Sequence, residues 1–237
     1  MPLNLQEIIE RYRKLDSDLV YDTLNAMGLT SQQLSLAIQP LDVQMAVAGP
    51  AFTAKYMVSE EATKVATDRV EYGASAYQMI RELYDGCVLV QDVGNDPVCG
   101  GLGENFGLSV QMQGCAGAVC DGGTRDKRAL IAMGFPIFSR FSSCTLSWGR
   151  RRLLDYQIPV RMSGHLRKWV TVHPGDFVVG DADGIVVVPQ ELTLEVLEGA
   201  ERVAEIEEQQ REQLRAGMDR EEVYKVNRYA HIRRVVG

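Results

Sequence analysis

Between Cys87 and Phe141 the chain alternates short apolar runs with helical stretches, and this alternation constrains the fold more than any other feature of the sequence. Cys87 to Gln91, Ala116 to Cys120 and Ile137 to Phe141 read as buried strands, while Glu104 to Gln113 and Lys127 to Met133 read as the helices between them. Strands separated by a helix cannot form hairpins, so they must pair in parallel with the helices as crossovers. The expected class is α/β.

The flanks add to this pattern. Leu5 to Met27 places Leu5, Ile8, Ile9, Tyr12, Leu19, Val20 and Leu24 at helical spacing and stops at Gly28, which fits two short helices. Val47 to Val58 reads as a strand kinked by Gly49 and Pro50, followed by a helical segment from about Glu60 to Leu83. Beyond Pro159 the turns at His173 to Asp176 and Asp181 to Gly184 predict a β-rich layer, and Glu191 to Leu214 predicts a last long helix. No linker or fixed repeat divides residues 1–237, which read as one domain.

Composition mostly excludes. Asp plus Glu outnumber Lys plus Arg by 32 to 25, a net charge of −7, and a phosphate backbone needs the opposite sign, so nucleic acid is not an expected partner. The five cysteines form no C-x-x-C pair, and the odd number argues for reduced thiols over a disulfide framework. No apolar run is long enough to span a bilayer and the N-terminus has no apolar leader core, so no membrane association and a cytoplasmic location are expected.

Two segments carry the candidate chemistry. Gly100-Gly101-Leu102-Gly103-Glu104-Asn105-Phe106-Gly107 lies between strand and helix, where glycines admit a ligand to the backbone and first-turn N–H groups face an anion. Its spacing is not that of a dinucleotide turn. The second segment, Asp121-Gly122-Gly123-Thr124-Arg125-Asp126, follows the strand ending at Cys120. One helix and one strand separate Glu104 from Arg125, enough to return the chain to the same sheet edge and bring Glu104, Arg125 and Asp126 together. Hard carboxylate oxygens suit Mg²⁺ or Mn²⁺, and a guanidinium can grip a carboxylate through two bonds. An Arg-Asp ion pair with Asp126 capping its helix fits the same spacing.

Gly103-Glu104 followed after twenty residues by Arg125-Asp126 resembles the D/E-x20-R-D signature of 4-hydroxy-4-methyl-2-oxoglutarate aldolases in the RraA-like family. Further segments resemble the family in order: Asp18 to Gly28, Ala48 to Thr53, Gly134 to Phe138, and Pro174 to Pro189. The resemblance implies a swivelling β/β/α fold, a homotrimer or homohexamer, and sites at subunit boundaries. It implies one of two functions, a divalent-metal-dependent aldolase releasing pyruvate from a 4-hydroxy-2-oxo acid or a non-catalytic regulator that binds a ribonuclease. Glu104 stands where several aldolases have Asp, and Ser163 to Trp169 is longer than the usual turn.

On the aldolase reading, the resemblance implies that Asp126 is the metal residue and Arg125 holds the pyruvoyl carboxylate. Glu104 moves the proton through a water, and the segment Gly103, Glu104, Asn105 and Phe106 offers backbone donors to the developing oxyanion. Oxaloacetate decarboxylation is the expected side activity. In the last helix Leu192, Val196, Ala200 and Val203 trace an apolar face whose next member is Glu207, and the resemblance implies that a glutamate of this region, Glu207 or else Glu205 or Glu208, enters a neighbouring subunit's site. Lys55, in an apolar strand, is the candidate for a rival Schiff-base mechanism. His165, His173 and His231 are too scattered for a triad or a metal cage.

Overall fold

The computed structural model describes residues 4–58 and 75–225. Helices α1 (Leu5–Tyr12) and α2 (Ser17–Ala26) open the chain. The Asn4 side chain accepts a hydrogen bond from Glu7 N–H at 2.8 Å and so caps α1. After the two-residue β1 (Gln39–Pro40), the twelve-residue β2 (Val47–Val58) forms the spine of the molecule. Helix α3 (Ala76–Glu82) supplies the described end of the helical segment expected from Glu60, whose remainder lies outside the described residues.

Next come β3 (Val88–Asp92), β4 (Gly100–Leu102), α4 (Glu104–Met112), β5 (Gly117–Cys120), β6 (Gly123–Thr124), α5 (Lys127–Ala132), β7 (Ile137–Ser139) and β8 (Phe141–Ser142). The expected alternation is present with one addition: a two- or three-residue strand follows each of β3, β5 and β7. Then β9 (Arg151–Tyr156), β10 (Val160–Ser163), β11 (Trp169–Val172), β12 (Phe177–Gly180) and β13 (Ile185–Val188) precede the long α6 (Thr193–Arg215).

The main sheet runs β1-β7-β5-β3-β2-β12-β13, with β9 also on β2. The pairs β2/β3, β3/β5 and β5/β7 are parallel, as crossover helices require, while β12 and β13 close the other side antiparallel. Strand β9 reads Arg-Arg-Leu-Leu-Asp-Tyr, two arginines before two adjacent leucines with no alternation, which hid it from pattern reading. It forms because the second half of β2, Ala54 to Val58, has an edge to fill.

Alternation along the strands sorts three cores. Phe52, Ala54, Leu89, Ala118 and Ile137 face outward onto α3, α4 and α5. Val88, Val90, Val119, Phe138, Val178, Ile185 and Val187 face inward, and the sheet curls around them while the β10–β11 hairpin covers the opening with Val160, Met162, Val170 and Val172. Phe177, Val179, Val186 and Val188 pack instead on α1, α2 and α6, where Tyr12 stacks on Phe177 at 4.3 Å. This is the β/β/α layering that the family resemblance implied. The short strands β4, β6 and β8 form a separate parallel sheet of their own.

Candidate active site

That small sheet builds the site. Strands β4 and β6 are neighbours, and each feeds a helix: β4 leads through Gly103 into α4, and β6 leads through Arg125 and Asp126 into α5. Adjacent parallel βα turns must lie side by side, and here Arg125 N–H donates to Leu102 O at 2.9 Å. The Asp-Gly-Gly-Thr-Arg-Asp segment is thereby split between two sheets. Asp121 directly follows a strand of the main sheet, and Arg125–Asp126 directly follows one of the small sheet.

Asp126 occupies the N-cap position of α5 but makes no cap bond there, contrary to the simple capping alternative. Its backbone is left-handed, φ 57° and ψ 32°, a conformation tolerated by aspartate better than by most residues and concentrated at functional sites. That twist aims the carboxylate across the turn, where Oδ2 accepts from Glu104 N–H at 3.1 Å, so Asp126 caps its neighbour's helix. Arg125 Nε lies 3.4 Å from the same oxygen, and both side chains remain more than a third exposed. Glu104 is exposed beside them. Because Asp126 uses the Glu104 N–H, the donors expected from the start of α4 reduce to those of Asn105 and Phe106, which have no intrahelical acceptor.

Gly103 permits this approach. A Cβ there would stand 2.8 Å from Asp126 Oδ2 and 3.0 Å from Arg125 Cγ. Its own φ of −113° is open to any residue, so Gly103→Ala should leave folding intact and act only by pushing the pair away. The expected result is lost hydrogen-exchange protection at the Glu104 amide, which is bonded to Asp126, with little change in melting temperature, measured by amide exchange beside thermal unfolding.

Arg125 and Asp126 line an open cavity of about 260 Å³ with Ser142, Ser143 and Cys144. Cys144 is exposed, whereas Cys87, Cys99, Cys115 and Cys120 are buried free thiols. Lys55 is not part of that cavity. Its Nζ sits 2.6 Å from Oδ2 of the buried Asp92, whose Oδ2 also accepts from Arg161 N–H at 3.1 Å, and this engagement makes it a structural cation.

Glu207 stands on α6, which packs against α1 and α2, away from the Arg125–Asp126 turn. The buried line along α6 runs Val196, Ala200, Val203 and then Ile206, not Glu207. After Val203 a helix offers both the third and the fourth residue to the same face, and the isoleucine takes the core position. Glu207 lies at the edge, 3.3 Å from Arg211 Nη1.

Asp121 was not singled out by sequence reading for the role it has. It is buried, and its two oxygens accept from Val93 N–H at 2.7 Å and Asn95 N–H at 3.2 Å, which fixes the loop between β3 and β4. Burial pushes its carboxyl up to about 6, with the neighbouring Asp92 charge adding to the rise and the Val93 bond opposing it. A raised acid binds its proton more tightly when folded, so its stabilising share is present below the ordinary aspartate value near 3.9 and is lost as pH rises through about 6. The stability difference, wild type minus Asp121→Asn, should therefore fall between about pH 4 and about pH 6; denaturant unfolding across that range checks it, and a flat difference would contradict it.

A curled α/β sheet with an auxiliary parallel sheet, whose two βα turns juxtapose a glutamate with an Arg-Asp step, defines the class. The chain belongs to the RraA-like family: the family described as Aldolase/RraA matches residues 17–187. It is 31% identical over 83% of its length to 83% of a Halalkalibacterium halodurans protein named provisionally as a 4-hydroxy-4-methyl-2-oxoglutarate aldolase. Among solved structures, a Pseudomonas syringae pv. tomato protein is similar with TM-score 0.77 and 26% identity, covering 94% of this chain and 98% of that one. Streptomyces coelicolor RraAS2, described as an unusual member of the RNase ES inhibitor RraA protein family, is similar with TM-score 0.73 and 26% identity, covering 87% of this chain and 98% of that one. None of the helices among the described residues is long and apolar enough to cross a membrane.

Proposed function

We propose that this protein is a divalent-metal-dependent aldolase that cleaves a 4-hydroxy-2-oxo acid to pyruvate and a second oxo compound. The observation that carries the reading is the meeting of a guanidinium, a carboxylate and a helix N-terminus at one open cavity. Arg125 is planar and forked, and would hold the carboxylate of the pyruvoyl half through two bonds.

Asp126 offers carboxylate oxygens at the cavity, and Glu104 is exposed on the adjoining helix start. No cluster of three or more His, Cys, Asp or Glu suited to a metal occurs among the described residues, so an ion held by Asp126 would be a hard cation that keeps most of its waters. Asp126 would hold Mg²⁺ or Mn²⁺, which when bound supplies Lewis-acid polarisation of the 2-oxo group.

The chain's own groups do the remaining work. Glu104 takes the 4-hydroxyl proton through an ordered water. The C4 oxygen becomes a carbonyl as the C3–C4 bond breaks, and the electron pair passes to the enolate of the pyruvoyl half. Asn105 and Phe106 N–H groups, at the positive end of α4, face the enolate oxygen. Glu104 then returns the proton to C3, giving pyruvate. Oxaloacetate would reach the same enolate by loss of carbon dioxide, which makes its decarboxylation a side activity.

Arg125 and Asp126 are half-open in one chain, and this supports a site completed in a homotrimer or homohexamer. Glu207 enters such a site only from a neighbouring subunit. Mixing inactive Glu207→Ala with inactive Arg125→Ala under subunit exchange should restore part of the activity; full activity of Glu207→Ala alone contradicts its role. The name of the Streptomyces relative supports a second reading, a regulator that binds a ribonuclease. Assays of pyruvate release decide between the two.

A further inference from the structure

Arg151, on β9, is an almost fully enclosed arginine beside the site, and no step above uses it. Its side chain is 6% exposed and faces Asp96, whose side chain is wholly buried, with Nε 2.8 Å from Oδ2. Nη2 donates to Cys99 O at 2.8 Å, and Nη1 lies 3.9 Å from Cys120 Sγ. Asp96 in turn accepts from Val98 N–H at 2.8 Å and from Cys99 Sγ at 2.8 Å. Burial opposes its ionisation, but the bonds from Cys99, Val98 and Arg151 outweigh that and hold its carboxyl below the usual range.

The guanidinium is wedged between two glycine backbones. A Cβ on Gly101 would collide with Arg151 Nη1 and Cζ, and one on Gly122 would stand 2.5 Å from Nη2. Gly101 lies two residues before Gly103, and Gly122 lies three before Arg125. One planar cation therefore sits between strand β4, which leads to Glu104, and the Gly122 turn, which leads to the Arg125–Asp126 pair.

We propose that Arg151, held by Asp96, is a positioning residue of this site, setting the spacing of strand β4 and the Gly122 turn and so the register between Glu104 and Arg125–Asp126. The inference rests on the aldolase reading for its effect on turnover, but the clamp itself does not. A planar guanidinium fits between stacked peptide planes and reaches Asp96 and Cys99 O at once, whereas an ammonium has the charge without the plate.

Two variants test it. Asp96→Asn combined with Arg151→Met leaves no unpaired buried charge, so it should fold, while Arg151→Lys keeps the ion pair. In both, kcat for pyruvate release should fall roughly 100-fold with KM little changed, because misplaced groups cost the chemical step more than ground-state binding. Arg151→Lys should stay folded, with only a modest drop in melting temperature from the lost bond to Cys99 O, so a 100-fold loss of kcat there is not a loss of fold. Hydrogen exchange provides the arm independent of activity. The Glu104 amide, bonded to Asp126, and the Arg125 amide, bonded to Leu102, should lose protection while the amides of β3 and β5 keep theirs. Wild-type kcat and unchanged exchange at those two amides in folded Arg151→Lys would overturn the proposal, and the same variant decides it if the double variant does not fold. If the wild-type protein itself releases no pyruvate, the aldolase reading fails and the exchange result alone judges the clamp.

Discussion

Arg125→Ala is expected to lose roughly 100- to 1000-fold in kcat/KM while keeping its fold, the magnitude typical of removing a charge-stabilising donor from an active site. The side chain is more than a third exposed and its close ionic partner among the described residues is Asp126, so little of the protein's stability depends on it. Its backbone amide, which binds Leu102 O, survives the substitution and keeps the two turns together. The loss should therefore fall on substrate carboxylate recognition. Kinetics with a 4-hydroxy-2-oxo acid and circular dichroism on the same sample measure both halves of the expectation. Near-normal turnover in a folded variant would remove Arg125 from the site.

Asp126→Asn should be at least as damaging and should differ in kind. Asparagine tolerates the left-handed backbone at φ 57° and can still accept from Glu104 N–H, so the turn is retained and only the charge is lost. Turnover should fall by more than about 100-fold and Mn²⁺ binding should weaken together with it, followed by the loss of free Mn²⁺ signal in electron paramagnetic resonance titrations. Asp126→Ala adds a backbone penalty of about 1–2 kcal/mol for a methyl side chain in that conformation, visible as a lower melting temperature than that of Asp126→Asn. Unchanged Mn²⁺ affinity in Asp126→Asn would assign the ion to other residues.

The architecture was legible where sequence periodicity is strong. The parallel pairing of β3, β5 and β7 followed from apolar runs separated by helices, and the meeting of Glu104 with Arg125 and Asp126 followed from the helix and strand between them. What escaped has identifiable causes. Strands of two or three residues, such as β4, β6 and β8, are too short to carry a period, so the second sheet that seats the site was not visible. Within Arg150-Arg151-Arg152 nothing in the sequence marks the middle arginine as the one turned inward; its burial depends on Asp96, Gly101 and Gly122, each distant along the chain. On α6 the choice of Ile206 over Glu207 for the buried line depends on where the helix axis lies against α1 and α2. Spacing alone leaves both residues available.

The most direct test of the central claim is pyruvate release. Purified protein supplied with Mg²⁺ or Mn²⁺ is given a panel of 4-hydroxy-2-oxo acids and oxaloacetate, with lactate dehydrogenase and NADH reporting pyruvate as it forms. At least one hydroxy-oxo acid should yield pyruvate, the rate should vanish when the metal is chelated, and it should return when metal is restored. Absence of pyruvate from every member of the panel, with folded protein and either metal present, would contradict the account.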